Sequence, residues 1–318
     1  MPKRKIGRAG VRDPWLTESV TEEGTMKAAL DTYHARMLRA LDHIDRHLDK
    51  ALDLETVSGV AAFSKFHFHR QFTAMFGISV HRYVQLARMK RASHRLAYRE
   101  GQSVTDIALD AGYEAPDAFA RAFRQRFGQP PSSFRKSPDW APWLSAFEPL
   151  DTARSKFMHR TFTQEDVVIR EVPKQLVAIM EHRGDPAGLG GTIQRFIAWR
   201  RRAGLHPSKS PTFNIWRSER RPAAPADYGI DLCAGIEGPV AADGEAVRIG
   251  EIPGGRCAVL RQVGQTDNLE PAALFLYRDW LPGSGEEVRD FPLYCQRLRF
   301  FPEVPEHEAV AELFLPLK

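Results

Sequence analysis

Two segments of the chain place phenylalanine, arginine and glycine at the same spacing. In residues 68–77, phenylalanines stand at the first, fifth and ninth positions, Arg70 at the third and glycine at the tenth; residues 119–128 repeat this order with Arg121. Phenylalanines four residues apart share one face of a helix, and an arginine two residues from the first of them points away from that face. Because arginine is the usual bidentate reader of guanine, the repeat suggests nucleic-acid recognition by two helices.

Each of these segments follows a second matching stretch. Residues 57–63 and 107–113 share apolar and small residues at corresponding positions, 50 residues apart. Each unit therefore reads as a short helix, a tight turn and a second helix, which is the shape of a helix-turn-helix. In such a unit, the N-terminal part of the second helix reaches base edges in the major groove.

The net charge is divided unevenly along the chain. The total is +5; residues 1–138 hold 23 Lys and Arg against 15 Asp and Glu, a net of +8, and residues 139–318 hold 22 against 25, a net of −3. A basic half beside a mildly acidic half predicts that only the first meets a polyanion. A helical bundle whose arginines merely solubilise its surface is the alternative, but a duplicated unit in a basic half favours DNA binding.

Composition and spacing argue against several other classes of protein. No apolar run nears the roughly 18 residues of a membrane span, and the basic N-terminus lacks the apolar region of a secretory signal, so the expected compartment is the cytoplasm. Cys233, Cys257 and Cys295 form neither a CxxC pair nor a zinc spacing, and His67 and His69 face different sides of a helix. No catalytic Ser/His/Asp or Cys/His arrangement stands out. We therefore expect no metal, no cofactor and no enzymatic activity.

Changes in composition and in the spacing of apolar residues divide the chain into four segments. Residues 1–25 are predicted to be a flexible basic tail, and residues 26–137 an all-α domain that holds both helix-turn-helix units. Repeated prolines predict a linker over residues 138–159. Residues 160–318 alternate strands with two helices, which predicts an α+β domain of two ββαββ-like repeats, matched at an offset of 80 residues. A groove between two such repeats is a common place for a ligand.

Residues 26–137 resemble the DNA-binding domain of the AraC/XylS family of transcription regulators. The resemblance rests on residues 63–72, 106–113, 119–124 and 127–135. It implies that two recognition helices enter successive major grooves, so that one chain reads an asymmetric site in double-stranded DNA, and it makes RNA polymerase a candidate partner. By motif position it assigns base contacts to Phe66, His69, Arg70, Asp117, Ala118 and Arg121, and phosphate contacts to Ser64, Lys65 and Arg124.

Two places depart from the family pattern. Ala62 stands where a turn glycine is common, which predicts a small backbone strain. Pro116 and Asp117 replace amides that some members carry. Asp117 can accept a hydrogen bond from cytosine, but its charge also repels phosphate.

Residues 160–318 are similar in element order to the GyrI-like effector-binding domain. An AraC-type reader followed by this domain is the arrangement of the right-origin-binding type of regulator. The resemblance implies a small-molecule effector, but Cys295 stands where the family often carries a buried glutamate, so a cationic ligand does not follow. The expected effector pocket consists of Phe213, Trp216, Leu293, Cys295 and Arg297.

The sequence thus predicts a sequence-specific DNA-binding transcription regulator with an effector-binding C-terminal domain. Two alternatives stay open for the C-terminal half. One is a protein-interaction module without a ligand. The other is a small-molecule hydrolase, since some GyrI-like domains resemble hydrolases, although the missing glutamate removes the obvious acid or base.

Overall fold

A helical domain is followed by an α+β domain, which confirms the predicted fold class. The structure, a computed structural model, describes residues 15–158, 162–218, 225–238, 240, 247–264 and 266–318. Its first eight helices are α1 (Trp15–Arg46), α2 (Leu54–Val60), α3 (Lys65–Phe76), α4 (Val80–Tyr98), α5 (Val104–Asp110), α6 (Pro116–Phe127), α7 (Pro131–Lys136) and α8 (Trp140–Met158). The predicted flexible tail over residues 1–25 differs from the structure at residues 15–25, which begin α1, while residues 1–14 lie outside the described residues.

The predicted linker over residues 138–159 is mostly helical, because α8 occupies it. Pro149 lies inside α8 and removes one backbone donor. However, Phe147, Leu150 and Ala153 are fully buried at helical spacing. The burial of this apolar face outweighs the lost hydrogen bond, so the helix continues through the proline.

Phenylalanines at equivalent positions anchor α3 and α6 in the core of the helical domain. Phenylalanines at matching positions of both helices point into the core: Phe68, Phe72, Phe76, Phe119, Phe123 and Phe127. Gly77 and Gly128 end the helices in the left-handed conformation, with φ of 76° and 73°. The duplicated sequence therefore folds into two matching units.

The turn before α3 carries the predicted strain. Ala62 has φ of 54°, whereas Gly112 holds the corresponding place in the second unit with φ of 81°. A side chain in this region crowds the following carbonyl, which glycine avoids. Arg36 braces the strained turn, since its Nε donates to the Ala61 carbonyl at 2.7 Å and its guanidinium lies 3.8 Å from the centre of the Phe63 ring.

One eight-stranded sheet, in which every neighbouring pair is antiparallel, forms the C-terminal domain. Its strands are β1 (Val167–Val172), β2 (Gln175–Arg183), β3 (Thr212–Trp216), β4 (Gly229–Gly235), β5 (Val247–Ile252), β6 (Gly255–Val263), β7 (Tyr294–Arg299) and β8 (Val310–Pro316). The spatial order is β1-β6-β8-β7-β3-β4-β2-β5. The two repeats are therefore interlocked: β1 of the first pairs with β6 of the second, and β5 of the second pairs with β2 of the first.

In the described part of the chain, the helices that pack on this sheet all lie on one of its faces. They are α9 (Leu189–Arg202) and α10 (Glu270–Leu274), which continues through a π-helical segment (Phe275–Trp280) into α11 (Leu281–Ser284). Trp199 and Trp280 stand at matching places on these helices and are buried. We call the opposite face, which carries Phe213, Tyr294 and Phe314, the open face.

His307, in a short 3₁₀ turn before β8, joins the sheet domain to α1. Its Nε2 lies 2.5 Å from Asp42 Oδ1, and its Nδ1 lies 3.6 Å from Asp45 Oδ2. Glu308 extends the contact through an ion pair of 2.6 Å with Arg46, which also pairs with Asp42 at 2.9 Å. Asp42, His307 and Glu308 are close enough to share a metal ion, but the guanidinium of Arg46 already neutralises both carboxylates.

We expect this contact to weaken as the pH rises past neutrality. Burial favours the neutral imidazole of His307, but the neighbouring Asp45 and Asp42 outweigh it and raise its pKa above the ordinary value. Such a group stabilises the folded state fully below its unfolded pKa of about 6.5, and this contribution is lost as the pH rises through the folded pKa. The Tm of the full chain should fall further between about pH 6 and pH 9 in the wild type than in His307→Gln. An identical pH dependence of the two proteins would contradict the prediction.

Candidate nucleic-acid interface

The first two turns of α3 present a row of exposed side chains. The row comprises Lys65, Phe66, His69 and Arg70. Phe66 is 76% exposed, although the anchoring phenylalanines of the same helix are buried. Its ring lies 5.9 Å from Lys65 Nζ. A solvent-exposed aromatic side chain contributes little to folding stability. The exposed ring of Phe66 could instead make an apolar contact, for example with a thymine methyl group.

Helix α6 presents a corresponding row, which runs from its first turn to Arg124 in its last turn. Asp117, Arg121 and Arg124 are exposed and Ala118 is half-buried. Their spacing of three and four residues places the exposed side chains on one helix face. The opposite face of α6 is anchored by Phe119 and Phe123, which are fully buried. The predicted base-contacting residues therefore lie on the outer faces of two equivalent helices.

The arginines of these rows are not used inside the protein. Among the described residues, neither Arg70 nor Arg121 has a carboxylate within ion-pairing distance. Other arginines of the same domain are engaged: Arg88 donates to a backbone carbonyl at 2.8 Å, and Arg95 pairs with Asp110 at 2.6 Å. A guanidinium held by the fold has a structural task, whereas the described residues leave the guanidinium donors of Arg70 and Arg121 without a partner.

Two of the predicted phosphate contacts, Lys65 and Arg124, are exposed, and the third, Ser64, caps α3. The hydroxyl oxygen of Ser64 accepts from the backbone N–H of His67 at 3.5 Å. Its hydroxyl proton remains available to donate to a phosphate. The contacts themselves stay predictions.

Shared helices position both rows. α4 contacts α3 and α5, and α8 contacts both α3 and α6. Phe147 of α8 lies 5.6 Å from Phe127 of α6, ring centre to ring centre. Because α4 and α8 contact both units, a displacement of either helix alters the placement of the two rows.

The structure does not bring the five predicted pocket residues together. Phe213 lies on the open face, whereas Leu293 and Cys295 are buried under the helices and Trp216 packs against the same core. Cys295 is fully buried, with Sγ 3.9 Å from Asn214 Oδ1. Arg297 is held from the same side, since its Nε donates to Asn214 Oδ1 at 2.7 Å. Four of the five residues therefore belong to the helix-covered side of the sheet.

The open face instead carries an aromatic pair that the sequence-based selection missed. The rings of Tyr294 and Phe314 stack at 4.8 Å with an interplanar angle of 3°. Phe213 and Phe291 meet Tyr294 edge to face, at 6.4 and 6.0 Å. Strand alternation contains the missing signal, because Tyr294 is adjacent to Cys295 and must point to the opposite face.

Arginines neutralise the carboxylates of the open face. Asp231, which is fully buried, accepts from Arg183 at 2.8 Å and from Arg217 at 2.7 Å. Glu312 pairs with Arg170 at 2.6 Å and with Arg261 at 3.4 Å. Because Glu312 has two guanidinium partners and Asp231 has three, counting Arg248 at 3.5 Å, the face is not built to attract a cation.

The three cysteines are unsuited to nucleophilic chemistry. Each is buried in the sheet domain. Burial raises the pKa of the thiols of Cys233, Cys257 and Cys295, which suppresses the reactive thiolate. Among the helices of the described part of the chain, none is long and apolar enough to cross a membrane.

Known proteins are similar to both halves of the chain. Residues 165–318 match the family model of the GyrI-like small molecule binding domain, and residues 57–137 match a helix-turn-helix domain. The probable transcriptional regulator YgiV of Escherichia coli (strain K12) is 33% identical over 153 residues, which are 48% of this chain and 96% of that protein. The right origin-binding protein of the same strain is 32% identical over 98 residues, 31% of this chain and 34% of that protein. A crystal structure of a hydrolase from Listeria innocua is 12% identical with a TM-score of 0.37, over 48% of this chain and 91% of that one.

The two family matches follow one another along the chain as the two folded domains do. The helix-turn-helix match covers the two repeated units that present the exposed rows, and the GyrI-like match covers the interlocked sheet. YgiV is matched over nearly its whole length, which establishes common descent rather than a shared short motif. The chain therefore belongs to the AraC-family DNA-binding transcription regulators that carry a C-terminal GyrI-like domain.

Proposed function

We propose that this regulator reads an asymmetric site in double-stranded DNA by placing α3 and α6 in successive major grooves. One observation carries the proposal: both helices expose matching rows whose arginines have no ion-pair partner among the described residues. Their positive charge attracts the phosphate backbone, and their planar guanidinium groups suit guanine edges. RNA polymerase is a further proposed partner, because a regulator bound beside a promoter acts on that enzyme or on its access.

Site selection from a random duplex library with the full chain tests the proposal. We expect an enriched site without two-fold symmetry, with two conserved blocks separated by about one helical turn, roughly 10 base pairs. Enrichment of a palindrome alone, or no enrichment, would overturn the asymmetric reading by one chain.

Replacing Arg121 with alanine should weaken binding to the selected site by roughly 1–3 kcal/mol, which is about a 5- to 150-fold rise in Kd. Discrimination at one base pair should fall as well, because that pair loses its bidentate reader. Arg121→Lys keeps the charge but loses the fork, so it should restore much of the salt-dependent affinity and little of the discrimination. Arg70→Ala should act in the same way on the other block of the site.

Arg278→Ala is the matched control, since Arg278 is exposed in the sheet domain and pairs with Asp279 at 2.8 Å. It removes the same charge from the whole chain without touching either row. Full affinity and selectivity in both Arg70→Ala and Arg121→Ala would refute their assignment as base readers.

We further propose that the open face of the sheet binds a neutral or anionic small molecule. The stacked pair of Tyr294 and Phe314 is 3% and 5% exposed, so a ligand reaches these rings by displacing side chains that cover them. Arg170, 5.7 Å from the Phe314 ring centre and itself partly exposed, offers the charge for an anionic group. A thermal-shift screen of the full chain with matched aromatic carboxylates and aromatic quaternary amines tests this, because a ligand that binds the folded form raises the Tm. Carboxylates should raise the Tm and amines should not. The opposite ranking would contradict the proposed ligand class, and a Tm raised by no compound of either class would favour the protein-interaction module.

A further inference from the structure

The C-terminal half of α4 is in contact with the sheet domain. Lys90 Nζ contacts Glu306 at 3.0 Å, and the His94 ring meets Phe301 edge to face at 4.9 Å. One turn further, the carbonyl of Ala97 accepts from a side chain of α9 at 2.9 Å. Since α4 connects the two helix-turn-helix units, the sheet domain holds the helix on which their relative placement depends.

Glu306 is the centre of this contact and lies in a buried cluster of charges. Its side chain is 5% exposed and pairs with both Lys90 and Arg154, which are equally buried. Arg154 of α8 also pairs with Asp45 of α1 at 2.8 Å and donates to the hydroxyl oxygen of Tyr83 of α4 at 2.9 Å. A single carboxylate of the sheet domain thus contacts α4 and α8 directly, and Arg154 extends the cluster to α1.

Residues 300–309, which we call the clasp, contain Glu306 and connect β7 to β8. These two strands carry Tyr294 and Phe314, the stacked pair of the open face. Arg299 and Val310, the residues on either side of the clasp, pair with each other in the sheet. A change in the spacing or tilt of β7 and β8 must therefore move the clasp.

The clasp is not tightly packed along its whole length. A cavity of about 380 Å³ separates its N-terminal part from the basic side of α4. Arg95 and Arg99 line the helical side of this cavity, Pro302 and Glu303 line the other, and Arg99 forms an ion pair with Glu303 across it. The clasp is therefore held at both Glu303 and Glu306, and the cavity gives it room to shift when these ion pairs open.

We propose that the clasp is the coupling element between the two domains, so that its docking onto α4 and α8 and the binding of DNA favour each other. The inference rests on the proposed function, because it requires that α3 and α6 bind DNA. Docking fixes α4 and α8 in the arrangement that presents both rows. A ligand between β7 and β8 alters DNA affinity only through the difference in its affinity for the docked and undocked clasp.

Glu306→Gln in the full chain, compared with wild type on the selected duplex, tests the coupling. The variant keeps the size of the side chain and removes the charge that Lys90 and Arg154 share. We expect a Kd about 5- to 30-fold higher, because a smaller fraction of molecules has both rows in place. Backbone amides of residues 90–98 should also exchange hydrogen faster. Glu287→Gln is the control, since Glu287 forms an exposed ion pair with Lys318 at 2.7 Å far from α4; its Kd should equal that of the wild type.

A wild-type measurement keeps the proposal testable if Glu306→Gln does not fold. Coupling is reciprocal, so saturating duplex must slow hydrogen exchange in the clasp of the wild-type chain. Unchanged clasp exchange on DNA binding, or faster exchange in Glu306→Gln at an unchanged Kd, would overturn the coupling and leave the DNA-binding function intact. A wild-type chain that binds no selected duplex would overturn the proposed function, and the coupling with it.

Discussion

Replacing Phe123 with alanine is expected to lower the free energy of unfolding by about 3–5 kcal/mol. Phe123 is fully buried in α6. Its ring centre lies 5.5 Å from that of Phe119, 4.5 Å from Phe127 and 5.2 Å from Phe134. Alanine leaves a cavity among rings that two other helices hold in place, so the site cannot collapse to fill it. Urea unfolding followed by far-UV circular dichroism, which reports mainly on the helical domain, measures the change.

Phe66→Ala is the matched control for this change. The residue type is the same, but Phe66 is 76% exposed. Its removal should change the unfolding free energy by no more than about 0.5 kcal/mol, as is usual for surface positions. Binding to the selected duplex should weaken instead. Equal losses of stability in Phe66→Ala and Phe123→Ala would contradict the division of α3 and α6 into an anchored face and a reading face.

Local patterns made most of the fold predictable from the sequence. Four-residue spacing of Phe68, Phe72 and Phe76 defined a helix and its buried face, and Gly77 marked its end. In residues 160–318, the alternation of strands with two helices predicted an α+β domain, and the structure has strands there such as β1 at Val167–Val172 and β3 at Thr212–Trp216. These predictions were correct because the spacing of apolar residues and the residue types of turns depend on only a few neighbouring residues.

Features that depend on distant residues were not predictable in the same way. The prolines of residues 138–159 indicated a linker, but α8 forms because Phe147 and Leu150 meet a core supplied by other helices. The predicted effector pocket followed Cys295, a position chosen by resemblance, and four of its five residues lie on the helix-covered face; this pocket stays a prediction. The buried cluster around Glu306 joins residues more than 150 positions apart in the chain. The spacing of apolar residues within one element does not predict such a contact.

Replacing Arg154 with methionine is expected to lower the free energy of unfolding by about 3–5 kcal/mol, although the volume changes little. Arg154 is buried and neutralises Asp45 and Glu306 while donating to Tyr83. Methionine satisfies none of these groups, so two buried carboxylates lose a cation that water cannot replace. Chemical unfolding of the full chain at pH 7 measures the effect. Arg278→Met is the control, because exposed ion pairs contribute at most about 1 kcal/mol.

The pH dependence distinguishes this electrostatic effect from a packing defect. In the wild type, Lys90 and Arg154 overcome the burial of Glu306 and lower its pKa to about 2. A carboxyl group with a depressed pKa stabilises the fold above its unfolded pKa of about 4.3, and this contribution is lost as the pH falls towards the folded value. Without Arg154, Glu306 keeps only Lys90 as a partner and binds a proton at a higher pH, and protonation removes the charge that has lost part of its compensation. The stability difference between wild type and Arg154→Met should therefore shrink from pH 7 to about pH 4. A difference that stays constant over this range would mean that lost packing, rather than unpaired charge, destabilises the variant.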